Sequence, residues 1–374
     1  MKLLSELSKN DLSNKIVILR AGLNVPISND GNIVDNFRIQ AVLPTIEYLV
    51  KHAKKVVIIS HIGRNRTESL RQVAKELQKH LPNLNFLQWR DLQSGVKEHD
   101  LILVENLRQD PREVSKDNKD RMSFAQDIIR VVGEGSIFVQ DAFSVCHRSH
   151  ASIVNIPQLI ESYAGLLLEQ EINHLAKALK PPKPSLFILG GAKFATKEPL
   201  IRKFLQTYDK IFIGGAIANE FFKAKGYEVG RSLVYDGKIP HDILYNNRII
   251  LPTSVRVTDG DGHAVYISPK SLIPDMRIVD AVPQADLLQF NGNSAKYILW
   301  NGPLGYYEGG YTQGTDRLLD MLSGSDAEIL TGGGDTLATI GSDKRGAFSY
   351  VSVGGGAMLK FLQDGSLVGV KALG

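Results

Sequence analysis

The 374-residue sequence has a single cysteine, two tryptophans and no long uninterrupted hydrophobic run. Because Cys146 has no partner within the chain, a secreted disulfide scaffold is excluded, and so is a zinc site with four cysteine ligands. No stretch approaches the roughly 20 apolar residues of a membrane span, and the first residues lack the apolar segment of a signal peptide. We therefore predict a cytoplasmic protein with no membrane partner.

The charge of the chain is nearly balanced, with 44 Lys and Arg against 40 Asp and Glu and a net charge of +4. This small excess favours anionic small molecules, and it does not indicate nucleic acid as a partner. Hydrophobic residues at 43% and charged residues at 22% are ordinary for a globular protein. Disordered, collagen-like and coiled-coil chains are therefore excluded.

Short apolar runs alternate with amphipathic stretches along nearly the whole chain, which is typical of strand and helix units around a parallel sheet. Strands are predicted over residues 15–20, 55–61, 99–105, 136–141, 185–191, 210–215, 296–302, 327–332 and 348–354. Apolar residues spaced by three and four predict helices over 37–53, 69–81 and 118–132. We predict an α/β protein with two doubly wound parallel-sheet domains of the Rossmann type, separated by a cleft.

A domain boundary is predicted near residue 180. An amphipathic stretch over 167–180 is followed by Pro181, Pro182 and Pro184, and prolines end a helix and stiffen the chain after it. Farther along, the turn residues over 258–263 predict a small hairpin attached to the second sheet.

Five glycine-bearing turns follow the predicted strands of the second half, over residues 190–193, 214–216, 301–305, 332–336 and 354–357. Glycine lets backbone N–H groups approach a ligand and lets the next helix point its N-terminus at it, which suits phosphate. Any one of these turns would also fit close packing of a helix on a strand, whereas five together favour a phosphate site. The sequence contains neither the P-loop pattern nor a strand-linked GxGxxG, so neither of these nucleotide-binding motifs is indicated.

Basic and polar residues follow the strands of the first half: Asn24, His61, Arg64, Arg108, His147, Arg148 and His150, with Arg38 opening the first helix. Each arginine alone would fit a solvated surface. Together, at the carboxyl ends of neighbouring strands, they favour an anion with several charges, such as a small phosphorylated acid. Cys146, His147 and His150 lack the usual spacing of metal ligands.

An acid site in one half and a nucleotide site in the other imply phosphoryl transfer, which needs cations, a divalent metal and exclusion of water. Lys193 and Lys197 lie four residues apart at a predicted helix start, so both reach neighbouring phosphates from one face. Asp335 follows three glycines and fits either a magnesium ligand or an ordinary N-terminal helix cap. Glu308 lies in a loop where it can accept hydrogen bonds from a ribose.

The chain resembles the phosphoglycerate kinase family from about residue 15 to its C-terminus. The resemblance rests on motifs at residues 23–26 (LNVP), 60–64 (SHIGR), 105–108 (ENLR), 141–150 (DAFSVCHRSH), 189–193 (LGGAK), 300–305 (WNGPLG), 332–336 (GGGDT) and 354–357 (GGGA). It implies reversible transfer of the acyl phosphate of 1,3-bisphosphoglycerate to magnesium ADP, giving 3-phosphoglycerate and ATP, a step of glycolysis and gluconeogenesis.

The resemblance also implies a role for individual residues. Phosphoglycerate would be held by Asn24, Arg38, His61, Arg64, Arg108 and Arg148. The nucleotide would be held by Lys193, Lys197, Asn301, Glu308, Gly332, Gly333, Gly334, Asp335 and Thr336, with Mg²⁺ on Asp335. The migrating phosphoryl group would meet Arg38, Lys197, Gly333 and Gly356.

The family organisation implies a hinge-bending monomer. It has an N-terminal phosphoglycerate domain over 1–166 that residues 361–374 rejoin, an interdomain helix and hinge over 167–183, and a nucleotide domain over 184–360.

Four positions depart from the family pattern. Gly22 and Thr196 stand where the family carries aspartates, the first of which binds the substrate, and Gln109 and Asp110 replace an aromatic pair. These departures motivate a rival hypothesis, in which the chain is a non-catalytic nucleotide-binding paralogue that acts as an interaction protein. Because Arg38 and Lys197 are retained, an active kinase with an altered acid pocket is favoured. A dinucleotide-dependent oxidoreductase would share the fold class, but its glycine fingerprint is missing.

Overall fold

The computed structural model describes residues 1–235, 238–259, 261–290 and 292–374. The chain divides into two compact units: unit 1 comprises Met1–Asn173 with Ser366–Gly374, and unit 2 comprises His174–Gly365. The domain ranges drawn from the sequence, and the hinge over 167–183, stay predictions.

Unit 1 is built on a six-stranded parallel sheet with the order β3-β4-β2-β1-β5-β6. Its strands are β1 Ile16–Arg20, β2 Lys55–Ile59, β3 Asn85–Leu87, β4 Leu101–Val104, β5 Ile137–Gln140 and β6 Ser162–Ala164. Its helices are α1 Lys9–Ser13, α2 Phe37–His52, α3 Arg71–Gln78, α4 Leu92–Glu98, α5 Asn118–Val132 and α6 Leu166–Leu179, the last of which ends in unit 2. Apolar residues of the sheet and of α4 and α5 form a core cluster around Ile18, Val57 and Phe138.

Unit 2 contains a second six-stranded parallel sheet with the order β17-β16-β15-β7-β8-β9. Its strands are β7 Ser185–Leu189, β8 Lys210–Ile213, β9 Ile249–Ile250, β15 Tyr297–Asn301, β16 Glu328–Gly332 and β17 Tyr350–Ser352. Its helices are α7 Phe194–Thr207, α8 Gly215–Ala224, α9 His241–Leu244, α10 Gln313–Ser323, α11 Gly334–Thr339 and α12 Gly356–Asp364. Trp300 lies at the centre of the apolar cluster that joins the sheet to α10. The last helix of the chain, α13 Val368–Lys371, belongs to unit 1.

Two small antiparallel sheets complete unit 2: β10 Ser254–Thr258, β11 Ala264–Ile267 and β12 Arg277–Val282 in one, and β13 Gln289–Phe290 with β14 Asn293–Ser294 in the other. The predicted hairpin is formed by β10 and β11, although Gly260 in its turn lies outside the described residues. Its predicted attachment to the large sheet is wrong, because β10 pairs with β12 instead.

The two large sheets share one topological feature. In unit 1 the chain runs outward from β1 to β2 on one side and from β5 to β6 on the other, so the connections diverge between β1 and β5. In unit 2 they diverge in the same way between β7 and β15. Such a switch point opens a crevice beyond the carboxyl ends of the strands, where open α/β sheets bind their ligands.

Every strand predicted from the sequence is formed, with each end no more than two residues from its predicted position. The additional strands β3, β6 and β9 are edge strands of two or three residues, too short to leave a periodic signal. Among the helices of the described residues, none has the length and apolar character needed to span a membrane.

Candidate functional site

In unit 1, the loops that follow the central strands are tied together by hydrogen bonds. Arg38, in the first turn of α2, donates to the Asn24 carbonyl at 2.6 Å. The Asn24 side-chain oxygen accepts from the Gly63 N–H at 2.9 Å, and the Gly63 carbonyl accepts from Arg108. This network joins the loops after β1, β2 and β4, so two guanidinium groups are fixed near one sheet edge.

A buried arginine at the end of β1 is hydrogen-bonded to groups at this edge of the sheet. Arg20, the last residue of β1, is fully buried and donates to the Ala21 carbonyl at 2.6 Å, to Ser152 Oγ at 2.9 Å and to His61 Nδ1 at 2.8 Å. Since an arginine N–H can only donate, Nδ1 of His61 acts as the acceptor. Glu113, also fully buried, accepts from the Ser152 N–H and hydroxyl, which anchors the far side of the network.

The same cations shape the protonation of the nearby histidines. Burial, followed by the charges of Arg20 and Arg108, holds the pKa of His61 well below its ordinary value. Burial and the same two arginines lower the pKa of His150 to about 3, although Glu113 Oε1 lies 3.8 Å from its Nδ1. Both imidazoles are therefore neutral near pH 7, and the charge of the cluster comes from its arginines.

Two exposed arginines extend the cluster to the surface. Burial is the main cause that lowers the pKa of Arg108, and the charges of Arg148 and Arg64 add to it. Arg148 also lowers the pKa values of His61 and His150. The arginines of the cluster act together on Arg108, His61 and His150, so they form a concentrated positive field, which suits a ligand with several negative charges.

In unit 2, a pocket of about 600 Å³ lies beside the carboxyl ends of β7 and β15. Its walls are lined by Gly191, Ala192, Gly215, Ala216, Arg231, Ser232, Leu233, Val234, Arg277, Ile278, Val279, Asp280, Pro303, Leu304, Gly305, Tyr306, Tyr307, Glu308 and Asp335. The lining combines backbone and apolar groups of the glycine turns with polar groups of the 306–308 loop. Its volume lies within the range of small-molecule and cofactor sites.

Next to this pocket, a side-chain network holds Lys197 in place. Lys197 Nζ donates to Asn301 Oδ1 at 3.2 Å, and Asn301 Nδ2 donates to the Gly332 carbonyl at 2.6 Å. Thr336 Oγ1 accepts from the Gly302 N–H at 2.8 Å and donates to the Gly332 carbonyl at 3.1 Å. Burial lowers the pKa of Lys197, and the Asp335 carboxylate opposes that effect.

Two carboxylates of the pocket act on one tyrosine. Burial, followed by the charges of Asp335 and Glu308, raises the pKa of the Tyr307 hydroxyl to about 12. Glu308 and Asp335 are themselves exposed, so their carboxylate oxygens are open to solvent or a ligand. Lys193 is also exposed, with its Nζ 5.5 Å above the Tyr235 ring.

Glycine is obligatory where the turns after β7 and β15 meet. The Gly190 N–H donates to the Asn301 carbonyl at 2.8 Å, and the chain at Gly302 has a φ of +94°. A Cβ at Gly302 would lie 2.5 Å from the carbonyl carbon and oxygen of Gly190. No side chain fits this contact, which lets the two turns close the floor of the switch-point crevice.

Comparison with known proteins agrees with this arrangement. The family model for phosphoglycerate kinase matches residues 7–365. The chain belongs to the phosphoglycerate kinase family. It is 35% identical to the phosphoglycerate kinase of Coprothermobacter proteolyticus over 387 aligned positions, covering 97% of both chains, and 36% identical to that of Aquifex aeolicus over 380, covering 94% of both.

Solved phosphoglycerate kinases have the same fold. The enzyme from Coxiella burnetii superposes with a TM-score of 0.81 at 32% identity, covering 99% of this chain and 98% of its own. The enzyme from Pyrococcus horikoshii OT3 superposes with a TM-score of 0.83 at 28% identity, covering 100% and 98%. The predicted α/β fold with two parallel-sheet domains of this family is thereby confirmed, and the family is one of phosphotransferases.

The structure gathers the residues expected to bind phosphoglycerate in a phosphoglycerate kinase. Asn24, Arg38, His61, Arg64, Arg108 and Arg148 all belong to the unit 1 cluster. Arg20 and Glu113 support that cluster and escaped the sequence analysis. A charged residue that closes the apolar run of β1 was the available signal for Arg20.

The residues expected to bind nucleotide fall into two groups. Glu308 and Asp335 line the pocket, whereas Lys197, Asn301, Gly332, Gly333 and Thr336 form the network beside it. Lys193 caps the start of α7, Gly334 opens α11, and Gly356 opens α12, one strand farther out than β16. Tyr307, whose pKa is raised by burial and by the charges of Asp335 and Glu308, had no sequence signal beyond its place in the loop.

Proposed function

We propose that this chain catalyses the reversible transfer of the acyl phosphate of 1,3-bisphosphoglycerate to ADP, giving 3-phosphoglycerate and ATP. In the forward direction the bond between phosphorus and the acyl oxygen breaks, and a β-phosphate oxygen of ADP forms the new bond to phosphorus. The observation that carries the proposal is the arginine cluster of unit 1, in a chain of this family whose unit 2 holds a nucleotide-sized pocket.

The arginines of unit 1 are assigned to the phosphorylated acid. Arg64, Arg108 and Arg148 supply fixed positive charge, and Asn24 and His61 supply neutral polar groups among them. Arg38 is half-buried and held by the Asn24 carbonyl, so it is preorganised to face the migrating phosphoryl group. Preorganised cations stabilise a transition state without reorientation during the reaction.

The nucleotide is assigned to unit 2. Glu308 accepts from the ribose hydroxyls, Lys193 neutralises nucleotide phosphates, and Lys197 neutralises the group in transfer. The N–H groups of residues 332–334 and 354–356 donate to phosphate oxygens. Because the attacking phosphate oxygen is already deprotonated, no general base is needed, and the rate comes from positioning and charge.

Magnesium is the cofactor that accompanies the nucleotide in this proposal. Asp335 lines the pocket with an exposed carboxylate, and carboxylate oxygens are ligands that Mg²⁺ prefers. When bound with a nucleotide, the ion neutralises phosphate charge. A cytoplasmic location and a monomeric state complete the proposal; the first rests on the single cysteine and the second on the family resemblance.

The test is a coupled assay with 3-phosphoglycerate and magnesium ATP. We expect turnover by the full chain, and a loss of at least a hundredfold in Arg38→Ala because the transferred group loses its cation. Arg90→Ala is the matched control, since Arg90 is exposed and, among the residues that the structure describes, forms an ion pair with Asp91 at 3.7 Å. A rate no higher than that of Arg38→Ala would contradict the proposal and favour the non-catalytic paralogue.

A further inference from the structure

In unit 1, a glycine faces the loop after β5 in the crevice between β1 and β5. Gly22 follows β1, is buried, and faces the loop after β5. A Cβ at Gly22 would lie 3.5 Å from Ala142 Cα and 3.6 Å from Ser144 Oγ, which are ordinary contact distances. The two loops that diverge at the switch point therefore touch here, and the Ser144 hydroxyl lies directly beside the space that the missing side chain leaves.

The Ser144 hydroxyl is unpaired. It makes no hydrogen bond to any of the residues that the structure describes, and Ser144 is only half-buried, so its oxygen remains open to a ligand. The short helical turn Phe143–Val145 fixes its position, because the Val145 N–H donates to the Ala142 carbonyl and the Cys146 N–H donates to the Phe143 carbonyl. A fixed and unsatisfied hydroxyl at a ligand crevice is a ready hydrogen-bonding group.

The neighbours of Ser144 define what it can recognise. Arg148 follows four residues later in the same loop, and Asn24 follows Gly22 by two residues in the opposite loop. These groups suit the two charged ends of a phosphorylated acid, whereas a serine hydroxyl suits a neutral hydroxyl by donating to it or accepting from it. The proposed substrate carries one such group, the C2 hydroxyl between its carboxyl and phosphate ends.

We propose that Ser144 binds the C2 hydroxyl of phosphoglycerate and is a specificity-determining residue of this chain. It acts where Gly22 leaves the crevice without the family's aspartate. The inference rests on the proposed function, since it assigns one contact within that acid site. Ser144 discriminates between acids with and without a C2 hydroxyl and leaves the charge of the site unchanged.

The experiment compares 3-phosphoglycerate with its 2-deoxy analogue, 3-phosphonooxypropanoate, in the wild type and in Ser144→Ala. We expect kcat/KM for 3-phosphoglycerate to fall about fivefold to tenfold in the variant, as for one hydrogen bond, with the KM for ATP unchanged. For the 2-deoxy analogue, kcat/KM should be the same in the variant and the wild type. If the analogue is not turned over, its inhibition constant should be unchanged instead. The preference for the hydroxylated acid therefore shrinks by the same factor.

Ser149→Ala is the matched control, because Ser149 is exposed in the same loop. It should keep the wild-type preference. In the double variant Gly22→Asp with Ser144→Ala, the new carboxylate should restore the preference. If kcat/KM in Ser144→Ala falls equally for both acids, or for neither, the inference about Ser144 is overturned, whereas the proposed kinase function is not. Absence of turnover with 3-phosphoglycerate in the wild type would instead contradict the proposed function itself.

Discussion

In both units the ligand crevice lies at the switch point of a six-stranded parallel sheet. The groups that line the crevice differ between the two units. In unit 1 the crevice between β1 and β5 is surrounded by side chains, most of them arginines and histidines. In unit 2 the crevice between β7 and β15 is closed by glycine backbone, with Gly190 against Gly302, and its charged groups stand at the margin.

This difference separates two ways of binding phosphate. A site made of clustered cations is selective for charge and sensitive to proton binding, because the arginines shift the pKa values of the nearby histidines. A site made of backbone tolerates changes of charge better than changes of shape, because no side chain can enter where two main chains touch. The predictions that follow test this contrast.

The largest effect is expected for Gly302→Ala in unit 2. The new Cβ would meet the Gly190 backbone at 2.5 Å and force alanine into a left-handed conformation. We expect a loss of about 3 to 5 kcal/mol in the free energy of unfolding. The measurement is guanidinium denaturation in a Trp89→Phe background, in which the remaining Trp300 reports unit 2.

Gly226→Ala is the control for this change. Gly226 also has a positive φ, +82°, but a Cβ there meets nothing within 4 Å. Its cost should be the conformational strain alone, about 1 to 2 kcal/mol. Equal costs for the two variants would mean that the backbone contact between the turns contributes nothing.

A second effect should separate the chemistry of unit 2 from its binding. Lys197→Ala removes a cation that Asn301 holds beside the pocket, and we expect kcat to fall about a hundredfold while the KM for ATP changes little. Lys203→Ala, on the same helix but bonded to the Leu362 carbonyl, should keep its turnover. If kcat and KM change in parallel, Lys197 stabilises the bound ground state as well as the transition state, which would contradict the prediction.

The smallest effect concerns pH and unit 1. His150 has a folded pKa of about 3 against about 6.5 when unfolded. Between these values the unfolded chain binds the extra proton, so this residue makes unit 1 less stable as the pH falls below about 6.5. The free energy of unfolding falls between pH 7 and pH 5, and we expect His150→Gln to make that fall smaller by about 1 to 2 kcal/mol.

This pH effect is measured as the difference between two denaturation series in a Trp300→Phe background, which leaves Trp89 of unit 1 as the reporter. His80→Gln serves as the comparison, because His80 is exposed. If both substitutions flatten the pH dependence equally, the arginine cluster is not the cause.

The sequence predicted the elements whose signals are local. The helix predicted over 118–132 has those bounds in the structure because Asp117 caps its start, where its side chain accepts from the Lys119 N–H, and Gly133 ends it at a φ of +124°. The glycine turns and the basic residues after the strands were predictable because parallel strands carry their carboxyl ends to one edge.

The remaining features depend on contacts between distant parts of the chain. Arg20 closes the apolar run of β1, which is a local signal. The partners that stabilise its full burial, His61 and Ser152, lie far away in sequence. The meeting of Gly22 and Ser144 likewise needs the strand order of the sheet. Fold class and candidate residues therefore followed from local patterns, whereas the supporting network required the assembled structure.

The C-terminal segment has a consequence for how the protein is made. Residues 366–374 return to unit 1, where the Gly369 N–H donates to the Cys146 carbonyl at 2.8 Å. A ribosome thus synthesises all of unit 2 before it makes the segment that contacts this loop. We expect nascent chains that stop before Ser366 to carry a thiol at Cys146 that reacts with iodoacetamide, and released chains that include residues 366–374 to protect it.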